Sequence, residues 1–241
     1  MREVAEQLLG VNVSVHNYKL LKGVIFDTDE VQELTLVLSA DTKKPSSDAK
    51  SKEQLKAVIS CQGRPQYQAQ LQVASVQVSE DVKKASEKHF ETNTSAPVTT
   101  AQALYSDGTL FHGPRLQGIT SVERFDDLGL LAQCQLPQIE NSDCGSFIPK
   151  QGFGDSQPFA EDYLLQAMLV WARLKYGAAS LPSAIGEFIC YAPMHNGDQG
   201  WLELSVIKST ARSLQADISL YHQDGRLSAV MKGAKVTISK S

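Results

Sequence analysis

Residues 158–176 read PFAEDYLLQAMLVWARLKY, and this stretch decides the fold. Pro158 suits the first position of a helix, and Gly177 suits the left-handed position just past its end. Leu164, Leu165, Met168, Leu169, Trp171 and Leu174 cover most of the circumference. A helix that is apolar nearly all round must be wrapped by other elements, since a helix resting on a surface keeps one polar face.

The chain after this helix reads as strands. The segments IGEFICYAP, GWLELSVIKS, SLQADISLYH and LSAVMKGAKVTIS carry the β-branched and aromatic residues that suit a pleated surface. Turn-forming stretches separate them, and the QDGR tetrad at 223–226 is a strong hairpin signal. One long buried helix followed by antiparallel strands is the pattern of a hot-dog fold, a curved sheet wrapped around a helix.

Ahead of the helix, residues 137–157 contain two prolines and three glycines and almost no periodicity. They are the best internal boundary, and divide the chain into units at 1–150 and 151–241. Residues 1–10 read as the last turns of a helix ended by Gly10. VNVSVHNYKLLKGVIF and VQELTLVLSA follow as strands, and residues 41–54 as a polar loop. LKAVISC and YQAQLQVASVQV form a hairpin around Gly63-Arg64-Pro65, with glutamines alternating on a wet face. Residues 79–100 are polar and charged, and residues 101–136 hold short apolar stretches. Strands after a helix tail suggest a second copy of the same plan. The expected class is α+β, a double hot-dog whose first helix is incomplete.

Composition narrows the function classes. Hydrophobic residues make up 42% and charged residues 21%, which suits a globular core. Net charge is −4 without a basic stripe, which argues against nucleic-acid binding. No apolar run is long enough to span a bilayer. Cys61, Cys134, Cys144 and Cys190 form no CxxC pair and no Cys/His cluster at metal-ligand spacing. They read as reduced thiols of a cytoplasmic protein. There is no GxSxG elbow, no P-loop and no GxGxxG between a strand and a helix. Lys83, Lys84 and Lys88 read as a solvated face.

The chemistry candidates lie on the long helix. Asp162 and Gln166 are four residues apart and share a face. Apolar surroundings disfavour the charged form of a carboxyl, so Asp162 is placed to serve as a general acid. The Gln166 amide could orient it or bind a departing hydroxyl. The competing reading makes Asp162 a residue that favours the positive helix N-terminus, and Gln166 an ordinary polar one.

Order along the chain changes that balance. The segment 157–166, QPFAEDYLLQ, resembles the Asp-x-x-x-Gln/His motif of polyketide synthase dehydratase domains, with its Pro four residues before the Asp. Residues 111–119, FHGPRLQGI, are similar to that family's Gly-Tyr-Gly-Pro-x-Phe-Gln-Gly-Leu stretch. Leu181-Pro182-Ser183-Ala184-Ile185 is similar to its Leu-Pro-Phe-x-Trp stretch. The wording of LLKGVIFD and FHGPRLQGI resembles most the dehydratase-like region of omega-3 polyunsaturated fatty acid synthases.

The resemblance implies a 3-hydroxyacyl-carrier-protein dehydratase, a lyase that gives an enoyl thioester within a multidomain fatty-acid or polyketide synthase. Asp162 would be the acid and Gln166 its helper. His112, Gly113, Pro114, Tyr163, Leu181 and Pro182 would contribute to substrate binding. Neither metal nor organic cofactor is implied; the substrate arrives on the phosphopantetheine arm of an acyl carrier protein. Other synthase domains are the further partners, and a homodimer is an allowed assembly. The thioester oxygen would be polarised by backbone N–H groups at a helix N-terminus.

The sequence departs from this pattern in places. The family's base is the His of a His-x-x-x-Gly-x-x-x-x-Pro motif, and none of His16, His89, His112, His195 and His222 fits it. The motif is expected just before Met1, in a chain that opens inside a helix. The alternative is a pseudo-dehydratase without a base, which would bind an acyl chain or carrier protein and scaffold the synthase. A product-template-like cyclase on the same fold would also need that histidine. His112 replaces a Tyr, and Leu116 and Ser183 replace aromatic residues. His16 is expected to be partly buried and bland. His89, His195 and His222 are expected to be exposed.

Overall fold

The computed structural model describes residues 1–24, 33–40, 54–73, 90, 96–108, 110–138 and 158–239. Their elements, in chain order, begin with helix α1 (Arg2–Leu9) and strands β1 (Val13–Leu20), β2 (Leu34–Ala40), β3 (Gln54–Cys61) and β4 (Arg64–Val73). The short strand β5 (Thr99–Thr100), helix α2 (Ala101–Ser106), a 3-10 turn (Pro114–Leu116), β6 (Ile119–Phe125) and β7 (Gly129–Gln135) follow. The long helix α3 (Pro158–Tyr176) then leads into β8 (Ala179–Cys190), β9 (Gln199–Thr210), β10 (Ser213–His222) and β11 (Leu227–Ser239).

The eleven strands among the described residues lie in one sheet, in the order β2-β3-β4-β1-β8-β11-β10-β9-β7-β6-β5. This is the double hot-dog arrangement, and the two units meet where β1 pairs antiparallel with β8, from Val15↔Phe188 to Lys19↔Ala184. Gly10 ends α1 in the left-handed conformation with φ 66°, and Gly177 plays the same part after α3 with φ 64°.

Helix α3 is enclosed as its sequence requires. Ala167, Met168, Val170, Trp171 and Ala172 are all fully buried, although they point to different sides of the helix. They share one core with Val122 of β6, Ala132 of β7, Leu204 of β9, Ile218 of β10 and Val236 of β11. The Trp171 indole N–H donates to the Asp126 carbonyl at 3.0 Å, so the one polar atom of this large side chain is paired. A smaller core of Ala5, Val13, Ala57, Ala69 and Leu71 holds α1 against β1, β3 and β4.

Two details bear on the sequence reading. On either side of the 137–157 stretch, β7 pairs with β9 from Gly129↔Ser205 to Gln135↔Gln199, and Leu130 and Ala132 share the α3 core. Low periodicity in 137–157 thus identified a connection whose flanks pack together; residues 139–157 themselves lie outside the described ones. The first hairpin turns at Gln62-Gly63, one residue earlier than expected, because both adopt positive φ (50° and 73°), as a two-residue hairpin turn demands. Arg64 and Pro65 already belong to β4.

Strand β8 begins at Ala179, so Leu181 and Pro182 lie in a strand. Pro182 pairs with Val236 of β11, and on the other side of β8 the β1 pairing has already stopped at Ala184, so it interrupts a ladder on one side at most. The expectations for residues 41–53 and for His89, Lys83, Lys84, Lys88 and Cys144 fall outside the described residues. Among the described residues no helix is long and apolar enough to cross a membrane.

Candidate active site

Gln166 is 1% exposed, and a buried amide must find partners for both ends. Its Nε2 donates to Asp162 Oδ2 at 2.7 Å and to the Leu116 carbonyl at 2.7 Å. Its Oε1 accepts from the Tyr105 hydroxyl at 3.0 Å. That hydroxyl in turn accepts the Ile119 backbone N–H at 3.0 Å. Burial pushes the Tyr105 phenol up to about 12, so it remains a donor at neutral pH. With a donor at Oε1 and a carbonyl at Nε2, the amide can be oriented only one way, with its NH₂ towards the acid.

The FHGPRLQGI stretch forms the frame around this pair. Pro114 opens the 3-10 turn, the Leu116 N–H bonds the Gly113 carbonyl at 2.9 Å, and the turn thereby presents the Leu116 carbonyl to Gln166. Gln117 Nε2 donates back to the His112 carbonyl at 3.0 Å. His112 then lies with Nε2 3.6 Å from Asp162 Oδ2. Gly118 is required by contact: a Cβ there would overlap the phenol ring of Tyr163, which is fully buried. The Tyr163 hydroxyl reaches the Gln135 carbonyl at 3.5 Å.

Asp162 has a side chain 30% exposed, and it opens into a cavity of about 420 Å³ between the two units. Val15, Tyr18, Ile59 and Tyr67 of the first unit form one wall. Leu165, Ile185, Phe188 and Met231 of the second form the other. Arg2 and Glu161 also line it, joined by a charge-assisted hydrogen bond between the units. Arg2 also pairs with Glu6 at 3.3 Å and lies 5.5 Å above the Phe188 ring. Burial raises the Glu161 carboxyl above its ordinary value against the opposing pull of Arg2. Asp162 is thus placed between polar partners on its protein side and a mainly apolar cavity on the other.

The other sequence candidates are distributed unevenly. His112 stands beside Asp162 but does not line the cavity. Gly113 and Pro114 are exposed and shape the turn without lining it either. Tyr163 packs behind the site, where its ring fixes α3 against Gly118. Leu181 is 62% exposed, and neither it nor Pro182 reaches the cavity, because that end of β8 runs past it. Tyr105, the Leu116 carbonyl and the Tyr18–Tyr67 stack escaped sequence reasoning, since no motif or spacing distinguishes them.

Among the remaining histidines, His195 is exposed as expected. His222 is buried, contrary to expectation, because its Nε2 bonds the Ala192 carbonyl at 3.0 Å across the hairpin end. His16 is partly buried and bonds Ser14 Oγ at 2.8 Å, with Glu187 of β8 at 3.7 Å. No disulfide joins Cys61, Cys134 and Cys190.

Two hot-dog units, with Asp162 of α3 opening into the space between them, define the class of dehydratase-type double hot-dog domains. The chain belongs to the polyketide synthase dehydratase family: the sequence model described as "Polyketide synthase dehydratase N-terminal domain" matches residues 82–240. It is 27% identical over 222 residues to a polyunsaturated fatty acid synthase subunit of Thraustochytrium sp. (strain ATCC 26185 / S-3), covering 88% of this chain. The chain spans only 7% of the length of that protein.

Solved structures extend the likeness of fold to β1–β4. The dehydratase domain from the CurJ module of curacin polyketide synthase has a TM-score of 0.68 at 15% identity, covering 98% of this chain and 79% of that one. The dehydratase domain of RzxB from Pseudomonas fluorescens gives 0.67 at 17%, covering 96% and 80%. A trans-AT polyketide synthase dehydratase domain from Brevibacillus brevis gives 0.66 at 18%, covering 100% and 83%.

Proposed function

We propose that this chain supplies the acid half of a dehydratase that converts 3-hydroxyacyl thioesters on an acyl carrier protein into enoyl thioesters. The observation that carries the reading is Asp162, held by Gln166 and opening into an apolar cavity between two hot-dog units. In the reaction a base removes the α-proton, the electron pair forms the new C=C bond, and the β-hydroxyl leaves as water with the proton given by Asp162. Gln166 orients the carboxyl so that the proton faces the cavity. The acyl chain lies among Tyr18, Tyr67, Ile185 and Phe188, which exclude water from the reacting carbons.

A second reading is favoured by one observation: among the described residues no histidine lines the cavity. On that reading the module binds the acyl chain or the carrier protein and scaffolds its synthase without chemistry. Incubating the full-length protein with a 3-hydroxyacyl carrier protein and following loss of water by mass spectrometry separates the two. The dehydratase reading expects an enoyl thioester. Carrier binding without loss of water would leave the scaffold reading standing.

A further inference from the structure

His112 has an unusual setting for a loop histidine. Its side chain is 12% exposed, and its ring stacks on Phe111 with centroids 4.7 Å apart. Nε2 faces Asp162 Oδ2, while Nδ1 is buried and has no hydrogen-bond partner among the described residues.

This setting selects the tautomer. A neutral imidazole carries one proton. Placed on Nδ1, that proton would be a buried donor without an acceptor, and the bare Nε2 lone pair would face a carboxyl oxygen. Placed on Nε2, it points at Asp162. The 3.6 Å separation is longer than a hydrogen bond, but a closure of under about 1 Å would make one, and active sites often tighten in this way when substrate binds. Gln166 addresses the same oxygen, Oδ2. Both donors therefore hold one carboxyl oxygen and leave Oδ1 for the substrate.

We propose that His112 is a positioning residue for the acid: as a neutral Nε2–H donor it closes onto Asp162 Oδ2 and stabilises the carboxylate left after Asp162 gives up its proton. His112 itself transfers no proton. Its kinetic consequence rests on the dehydratase reading; its tautomer does not.

The test uses the full-length protein with His112→Phe, His112→Asn, His112→Gln and His112→Tyr. Gln can carry an N–H to the place of Nε2 and Tyr can carry an O–H, whereas Asn reaches only the place of Nδ1 and Phe carries no donor. The expected result is a kcat loss of about 10- to 100-fold for His112→Phe and His112→Asn at nearly unchanged KM, with most of it regained in His112→Gln or His112→Tyr. Nitrogen-15 NMR of histidine-labelled wild type should show Nε2 protonated and Nδ1 bare at neutral pH. A bare Nε2, or full kcat in His112→Phe, overturns the proposal. If wild type forms no enoyl product, the dehydratase reading fails, and the NMR result alone still decides the tautomer.

Discussion

Helix α3 of the second unit is enclosed by strands that precede and follow it in the chain, and its core runs from β6 to β11. The first unit's described helix has 8 residues, and the small core it joins is Ala5, Val13, Ala57, Ala69 and Leu71. Its strand β2 at the sheet edge has no buried residue. The polar groups that hold the acid, Gln166, Tyr105 and the Leu116 carbonyl, belong to α3 or lie directly against it. The first unit contributes Val15, Tyr18, Ile59 and Tyr67 to the opposite wall. The larger core therefore fixes Asp162, and the smaller one shapes the space in front of it. A site that must hold a carboxyl within tenths of an ångström belongs on the better-packed element.

Substitutions in the two units should separate these roles. Trp171→Ala should cost about 3–5 kcal/mol in denaturant unfolding, because it empties the centre of the larger core and frees the Asp126 carbonyl. Leu71→Ala should cost about 2–3 kcal/mol, less than Trp171→Ala, since its smaller cluster borders the cavity and can relax. Equal costs would make the units equivalent. Gln166→Leu should cost about 1–3 kcal/mol by leaving the Leu116 carbonyl and the Tyr105 hydroxyl without their partner. Val37→Thr on β2, where Val37 is 52% exposed, should change stability by less than about 0.5 kcal/mol. A large effect there would mean that the edge strand is covered in solution.

The second unit was the more legible in sequence. Its helix announced itself through apolar residues on all sides, and its strands through turn signals such as Gly225, which adopts φ 83°. The pairing of Asp162 with Gln166 followed from helical spacing alone. The division at 150 was read from composition, which carries no trace of sheet order: β6 and β7 come before α3 in the chain and beside β9 in space. His112 was legible as a departure from a family pattern, yet its approach to Asp162 depends on how the 3-10 turn folds back. Tyr105 was not legible at all: its role is to fix an amide 61 residues away, and no local pattern encodes such a contact. Leu181 and Pro182 were drawn to the site by wording, whereas strand β8 carries them past the cavity.

The most direct test of the account is the rate of enoyl-thioester formation by the full-length protein carrying Asp162→Asn, compared with wild type at matched stability. Asn keeps the size and the Gln166 contact of Asp162 but has no acidic proton to give. The account predicts a fall of about 10²- to 10⁴-fold with the unfolding curve nearly unchanged. Undiminished enoyl formation by a folded Asp162→Asn protein would contradict it.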